Sequence, residues 1–122
     1  MNRTTMELKN FAGADEIRNL PKTKIEVVNF DETSVMKVTF QPGWKWSECI
    51  KPTAGTPSCQ TPHINYIVSG RLAIKMDDGT QKEMKPGDIA NIPPGHDAWV
   101  VGEEPCITLD FSAGKMYGKP SS

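Results

Sequence analysis

His63 and His96 are the chain's only histidines, and Cys59 stands four residues before the first of them. An unperturbed imidazole titrates near pH ~6.5, so each can move a proton close to neutrality, and its neutral form suits zinc, nickel, copper or iron. A lone histidine is more often a satisfied core or rim residue than a ligand, and a free cysteine more often a small buried hydrophobe. Both readings stay open at this point. A carboxylate belongs to the same inventory. In the run Trp44, Lys45, Trp46, Ser47, Glu48, Cys49, Ile50, read as a strand, the even positions carry both tryptophans, Glu48 and Ile50, and that face is expected inward. A carboxylate among aromatics costs several kcal/mol unless it is paired, protonated or holding a cation. Glu48 is therefore expected either at a wet rim beside a Lys or Arg, or as a ligand or acid/base group.

Strands and turns must position these groups. Alternating or apolar runs closed by Gly and Pro predict nine short strands, over 24–30, 34–40, 45–50, 63–68, 71–76, 81–84, 88–92, 98–101 and 107–111. Asp77, Asp78, Gly79 and Thr80 form a hairpin turn, and Ser69 with Gly70 another reversal. Helix is expected only before Asn19, as one or two turns around 14–18 that Pro21 stops. On strand parity His63 shares a face with Asn65 and Ile67, while His96 shares one with Ala98 and leaves Trp99 out of phase. Trp46 and Asn65 are then expected to line a ligand cavity. The elements amount to an all-β closed barrel or jelly roll.

The chain's 122 residues are expected to form one domain, 1–122, with a core barrel over about 23–112. With 14 basic against 15 acidic residues and no block of like charge, nucleic acid and anionic membranes are not expected as partners. The opening residues lack a signal-peptide apolar run and no window is long and apolar enough for a membrane span, so a cytoplasmic location is expected. Three cysteines, odd in number and without a CxxC pair, do not read as a disulfide framework.

The residues from Val35 to Phe111 resemble a small single-domain cupin, whose double-stranded β-helix carries two sequence motifs. Gly87, Pro93 and Gly95 match the start of the second motif, and the stretch from Ile64 through Gly70 to Leu72 matches the end of the first. The runs around Trp44 to Glu48, Gly55 to Cys59 and Pro94 to Trp99 resemble more narrowly a subgroup of bacterial and archaeal cupins. The resemblance places His63 where the family has a glutamate, and Pro57 and Cys59 where it has two histidines. Ala98 and Gly102 replace the histidine and asparagine that close the second motif, with His96 two residues earlier on the same strand face. A displaced ligand set of Cys59, His63 and His96 follows, acceptable to zinc first and to iron, nickel or copper, with Glu48 or water as a fourth ligand. The resemblance also implies a homodimer and a small-molecule ligand or substrate in the barrel.

Two function classes remain. One is metal-assisted or acid/base chemistry on a small polar substrate, with His63, His96 and Glu48 as the active groups. The other is a non-catalytic barrel that binds or senses a small molecule without metal.

Overall fold

Burial alternates strictly along β3 (Ser34–Phe40), where Ser34, Met36, Val38 and Phe40 are buried and the residues between them are less so. The same two-residue period turns His63, Asn65 and Ile67 inward on β4 (His63–Ser69), His96, Ala98 and Val100 on β8 (His96–Val100), and Cys106, Thr108 and Asp110 on β9 (Cys106–Asp110). In the computed structural model, which describes residues 6–30 and 33–111, these strands join β1 (Glu16–Leu20), β2 (Thr23–Asn29), β5 (Leu72–Met76), β6 (Gln81–Met84) and β7 (Ile89–Ile92). One antiparallel sheet runs β1-β2-β3-β9-β4-β7 and the other β6-β5-β8. The molecule is an all-β jelly roll whose core includes Ile25, Val27, Met36, Val38, Trp44, Trp46, Ile50 and Ile67. No helix among the described residues is long and apolar enough to cross a membrane.

Two local expectations are corrected. Residues 14–18 are not helical: a short 3-10 turn, Phe11–Gly13, precedes β1, which pairs with β2 from Glu16↔Val27 to Leu20↔Thr23. A sheet edge gives this short segment backbone partners that one or two isolated helical turns lack. The stretch 45–50 is not a strand either. It forms α1 (Trp46–Cys49), followed by α2 (Lys51–Ala54), which Gly55 ends in the left-handed conformation at φ +76°. Trp46, Cys49, Ile50 and Ala54 are the buried residues, a helical spacing of three and four. That spacing overturns the even-face argument for Glu48. The side chain points to solvent, while Cys49, expected outward, is buried.

Gly70, at the reversal after β4, has φ +76°, and a Cβ there would lie 2.3 Å from the Pro105 carbonyl oxygen and 2.7 Å from Cys106 Cα. Only glycine lets this turn press against the start of β9. Its place matters because β9 carries Asp110 into the barrel beside β4, with Asn65 paired to Asp110.

Candidate metal and acid/base site

Three separate stretches of chain bring Cys59, His63 and His96 together. The loop before β4 is fixed to the start of β8 by backbone hydrogen bonds: Cys59 N–H donates to the His96 carbonyl (2.7 Å) and Gly95 N–H to the Cys59 carbonyl (2.7 Å). The Pro93-Pro94-Gly95 turn then delivers His96 inward, with Gly95 at φ +92°. His63 opens β4 opposite Ile92 of β7. All three side chains are buried, and one ligand atom from each lies within 4.8 Å of the other two.

The outer nitrogens of both rings have partners. His63 Nδ1 lies 2.5 Å from Asp110 Oδ2 and its Nε2 lies 3.5 Å from Cys59 Sγ. His96 Nδ1 lies 2.8 Å from the Pro93 carbonyl oxygen, which only accepts, so Nδ1 carries the hydrogen and Nε2 is left for the cluster. The rings meet edge to face with centroids 5.3 Å apart.

Burial opposes charge here, but the contacts outweigh it. Burial alone would raise the Cys59 thiol; hydrogen bonds from His63 and His96 bring it down to about 6. Burial alone would lower His63; its bonds to Asp110 and Cys59 raise it to about 9. Near neutrality the metal-free pair is thus a thiolate facing an imidazolium. Cys106, buried without such a partner, is pushed up to about 12 and is an inert thiol.

Asp110 is the member of this buried group that sequence reasoning missed. A carboxylate on the inward parity of β9, 1% exposed, is the signal that was present. Glu48, proposed as a fourth ligand or acid/base group, lies outside the cluster because the helical turn carries it to the surface. Trp46 and Asn65 do line the cavity beside the histidines, together with Trp44, Phe40, Thr108 and Asp110. That cavity measures about 20 Å³, room for little more than a water molecule. A larger groove of about 330 Å³ shares Ile74 and Ile92 with this cavity, runs between β6 and β7, and contains neither histidine.

No family model matches the sequence, and no curated protein does. Solved structures match in shape. A cupin-like protein from Thermotoga maritima is 20% identical with a TM-score of 0.53, over 75% of this chain and 68% of that one. The polyketide cyclase RemF from Streptomyces resistomycificus is 17% identical with a TM-score of 0.63, over 88% and 79%. KdgF from a Halomonas species is 19% identical with a TM-score of 0.57, over 80% and 84%. At these identities the likeness is one of fold, and the fold is that of a small cupin domain.

Proposed function

We propose that this cupin-fold domain holds a divalent metal, zinc in the first instance, on Cys59 Sγ, His63 Nε2 and His96 Nε2, and acts through it on a substrate of very few atoms. The observation that carries the reading is the convergence of those three atoms within 4.8 Å. With bonds of about 2.0–2.3 Å, neighbouring ligands of a tetrahedral zinc sit roughly 3.3–3.8 Å apart, and the Cys59–His63 separation of 3.5 Å falls in that range. The second contacts fit as well. A metal-binding imidazole ordinarily donates its other N–H to a carboxylate or carbonyl, as His63 does to Asp110 and His96 to Pro93.

A bound metal of this kind polarises an oxygen or lowers the pKa of a coordinated water. The chain's own residues supply the rest. Asp110 orients His63, the Cys59–His96 backbone bridge fixes two donors relative to each other, and the apolar wall of Met36, Val38, Leu72 and Ile74 keeps water scarce. Three protein donors leave one position of a tetrahedral site open, as catalytic rather than structural zinc requires. A purely nucleophilic role for Cys59, activated by His63 and Asp110, is less well supported, because a cavity of about 20 Å³ has no space for an acyl substrate.

The test is elemental analysis of untagged protein purified without chelator, beside a His63→Ala, His96→Ala double variant. Near one metal per chain, absent from the variant, is the expected result. A metal-free wild-type protein with the barrel folded, which also fails to take up added zinc, would sink the reading.

A further inference from the structure

Where one face of an antiparallel sheet meets water, its outward positions are ordinarily polar, and on β2 and β3 Lys24, Glu26, Lys37 and Thr39 follow that rule. The same face across β9, β4 and β7 is apolar. Ile64, Tyr66 and Val68 hold the outward positions of β4 and are 41%, 37% and 46% exposed; Ile89 of β7 is 65% exposed, and Phe111, just past β9, is exposed as well. Strand register makes them one patch. Tyr66 stands between Ile89 on one side and Leu109 on the other, and Phe111 N–H donates to the Ile64 carbonyl at 3.1 Å. Five of the eight large hydrophobic side chains exposed among the described residues lie here, which sets this face apart from a scatter of single exposed residues.

We propose that this face docks a second copy of the chain, with the outer surfaces of β9, β4 and β7 packed against each other across a two-fold axis. Area, charge and symmetry each favour that occupant. The five side chains present roughly 400 Å² of largely apolar surface, and a standard interface buries about 800 Å² per partner, a little over half of it apolar. One face thus supplies nearly the whole apolar share of its side. The patch carries no charged side chain, so a two-fold pairing sets no like charges against each other. A formal net charge of −1 adds little repulsion between copies. Both halves come from one self-complementary surface, as an isologous dimer requires. The inward positions of β4 and β9 carry His63, Asn65 and Asp110, so the pairing holds the strands of the candidate site from behind. The surface is independent of the metal reading.

Sedimentation velocity of the full chain tests this over about 1–100 μM, where interfaces of this size are read. A particle of twice the 13.5 kDa chain mass is expected. Tyr66→Glu and Ile89→Lys each place a charge in the patch at a side chain that the single chain leaves exposed, and each should weaken association at least about 100-fold. Ile17→Lys changes an exposed residue of β1 outside the patch and should leave association unchanged. In a half-labelled wild-type sample, isotope-filtered NMR should show contacts between the Tyr66 ring of one copy and patch methyl groups of the other, a measurement that needs no variant to fold. A wild-type chain that stays monomeric over that range would overturn the proposal. So would a dimer that keeps its affinity with either patch charge in place, or intermolecular contacts that all fall outside this face.

Discussion

The ring of His63 bridges two buried groups: Asp110 Oδ2 lies 2.5 Å from Nδ1, and Cys59 Sγ lies 3.5 Å from Nε2. This line of three side chains fixes the ring's rotation, since the carboxylate keeps a hydrogen on Nδ1 and leaves Nε2 to face the thiol. Asp110 is thus placed to orient the His63 ring.

Asp110→Asn keeps the shape and removes the charge. Zinc affinity is expected to fall about 10–100-fold, as for loss of a carboxylate partner of a metal-bound histidine. Competition against a chelator of known affinity reads this directly. An unchanged affinity would mean that packing alone orients His63.

The metal-free pair gives an unusual pH profile. His63 is raised from 6.5 to about 9, so its contribution to stability is complete below pH 6.5 and is lost as pH rises through 9. Cys59 is lowered from 9.0 to about 6, so its contribution is complete above pH 9 and is lost as pH falls through 6. Between those limits the folded pair holds one proton, on His63, and the unfolded pair also holds one, on Cys59. The two slopes cancel, and this pair should contribute no pH dependence to Tm from about pH 6.5 to 9. Cys59→Ser removes one arm, and stability should then fall as pH rises through the same window, because His63 still pairs with Asp110. A parallel profile for wild type and variant would refute the thiolate–imidazolium assignment.

Strand parity made much of this site legible. The strand over 34–40 stands where alternation placed it and that over 81–84 where the preceding hairpin turn did, and the period of two puts His63 with Asn65 and His96 with Ala98 on common faces. The run from Trp44 to Ile50 was ambiguous, since 44, 46 and 50 fit a strand while 46, 49 and 50 fit a helix, and a span this short cannot separate the two periods. Glu48 was misplaced for that reason. Asp110 was invisible for another: it meets His63 across 47 residues, and only the pairing of β9 beside β4 brings them together.

Glu48→Gln separates the two periods experimentally. The exposed side chain touches neither histidine, so metal content should be unchanged and stability should shift by no more than about 0.5 kcal/mol. A drop in metal stoichiometry would restore Glu48 to the ligand set.

Glycine substitutions test how β9 is held in place. Gly70→Ala meets both a left-handed φ of +76° and the backbone of Pro105 and Cys106, and should cost at least about 3 kcal/mol, lowering Tm by roughly 10 °C or more. Gly87→Ala has a similar φ of +92° but nothing within 4 Å of the new Cβ, so only about 1–2 kcal/mol is expected. Equal losses at the two positions would show that conformation, and not the close approach to β9, sets the requirement at Gly70.

Metal binding offers the last check, through its protons. At pH ~7.5 the Cys59 thiol, at about 6, is already ionised, while His63, at about 9, carries a proton on Nε2 that a metal must displace. The Nδ1 hydrogen stays with Asp110. One proton should therefore leave the Cys59–His63 pair per metal bound, and that pair should favour binding more strongly as pH rises from 6 towards 9. Below pH 6 the thiol proton must leave as well, so the dependence steepens. Calorimetry of zinc binding in two buffers of different ionisation enthalpy counts the protons, and Cys59→Ser identifies their source: the variant should still release the His63 proton at pH ~7.5 if Asp110 alone keeps that ring charged. Release of two protons by the wild-type pair at that pH would mean that Cys59 is a neutral thiol in the metal-free protein, and the imidazolium would then owe its charge to Asp110 alone.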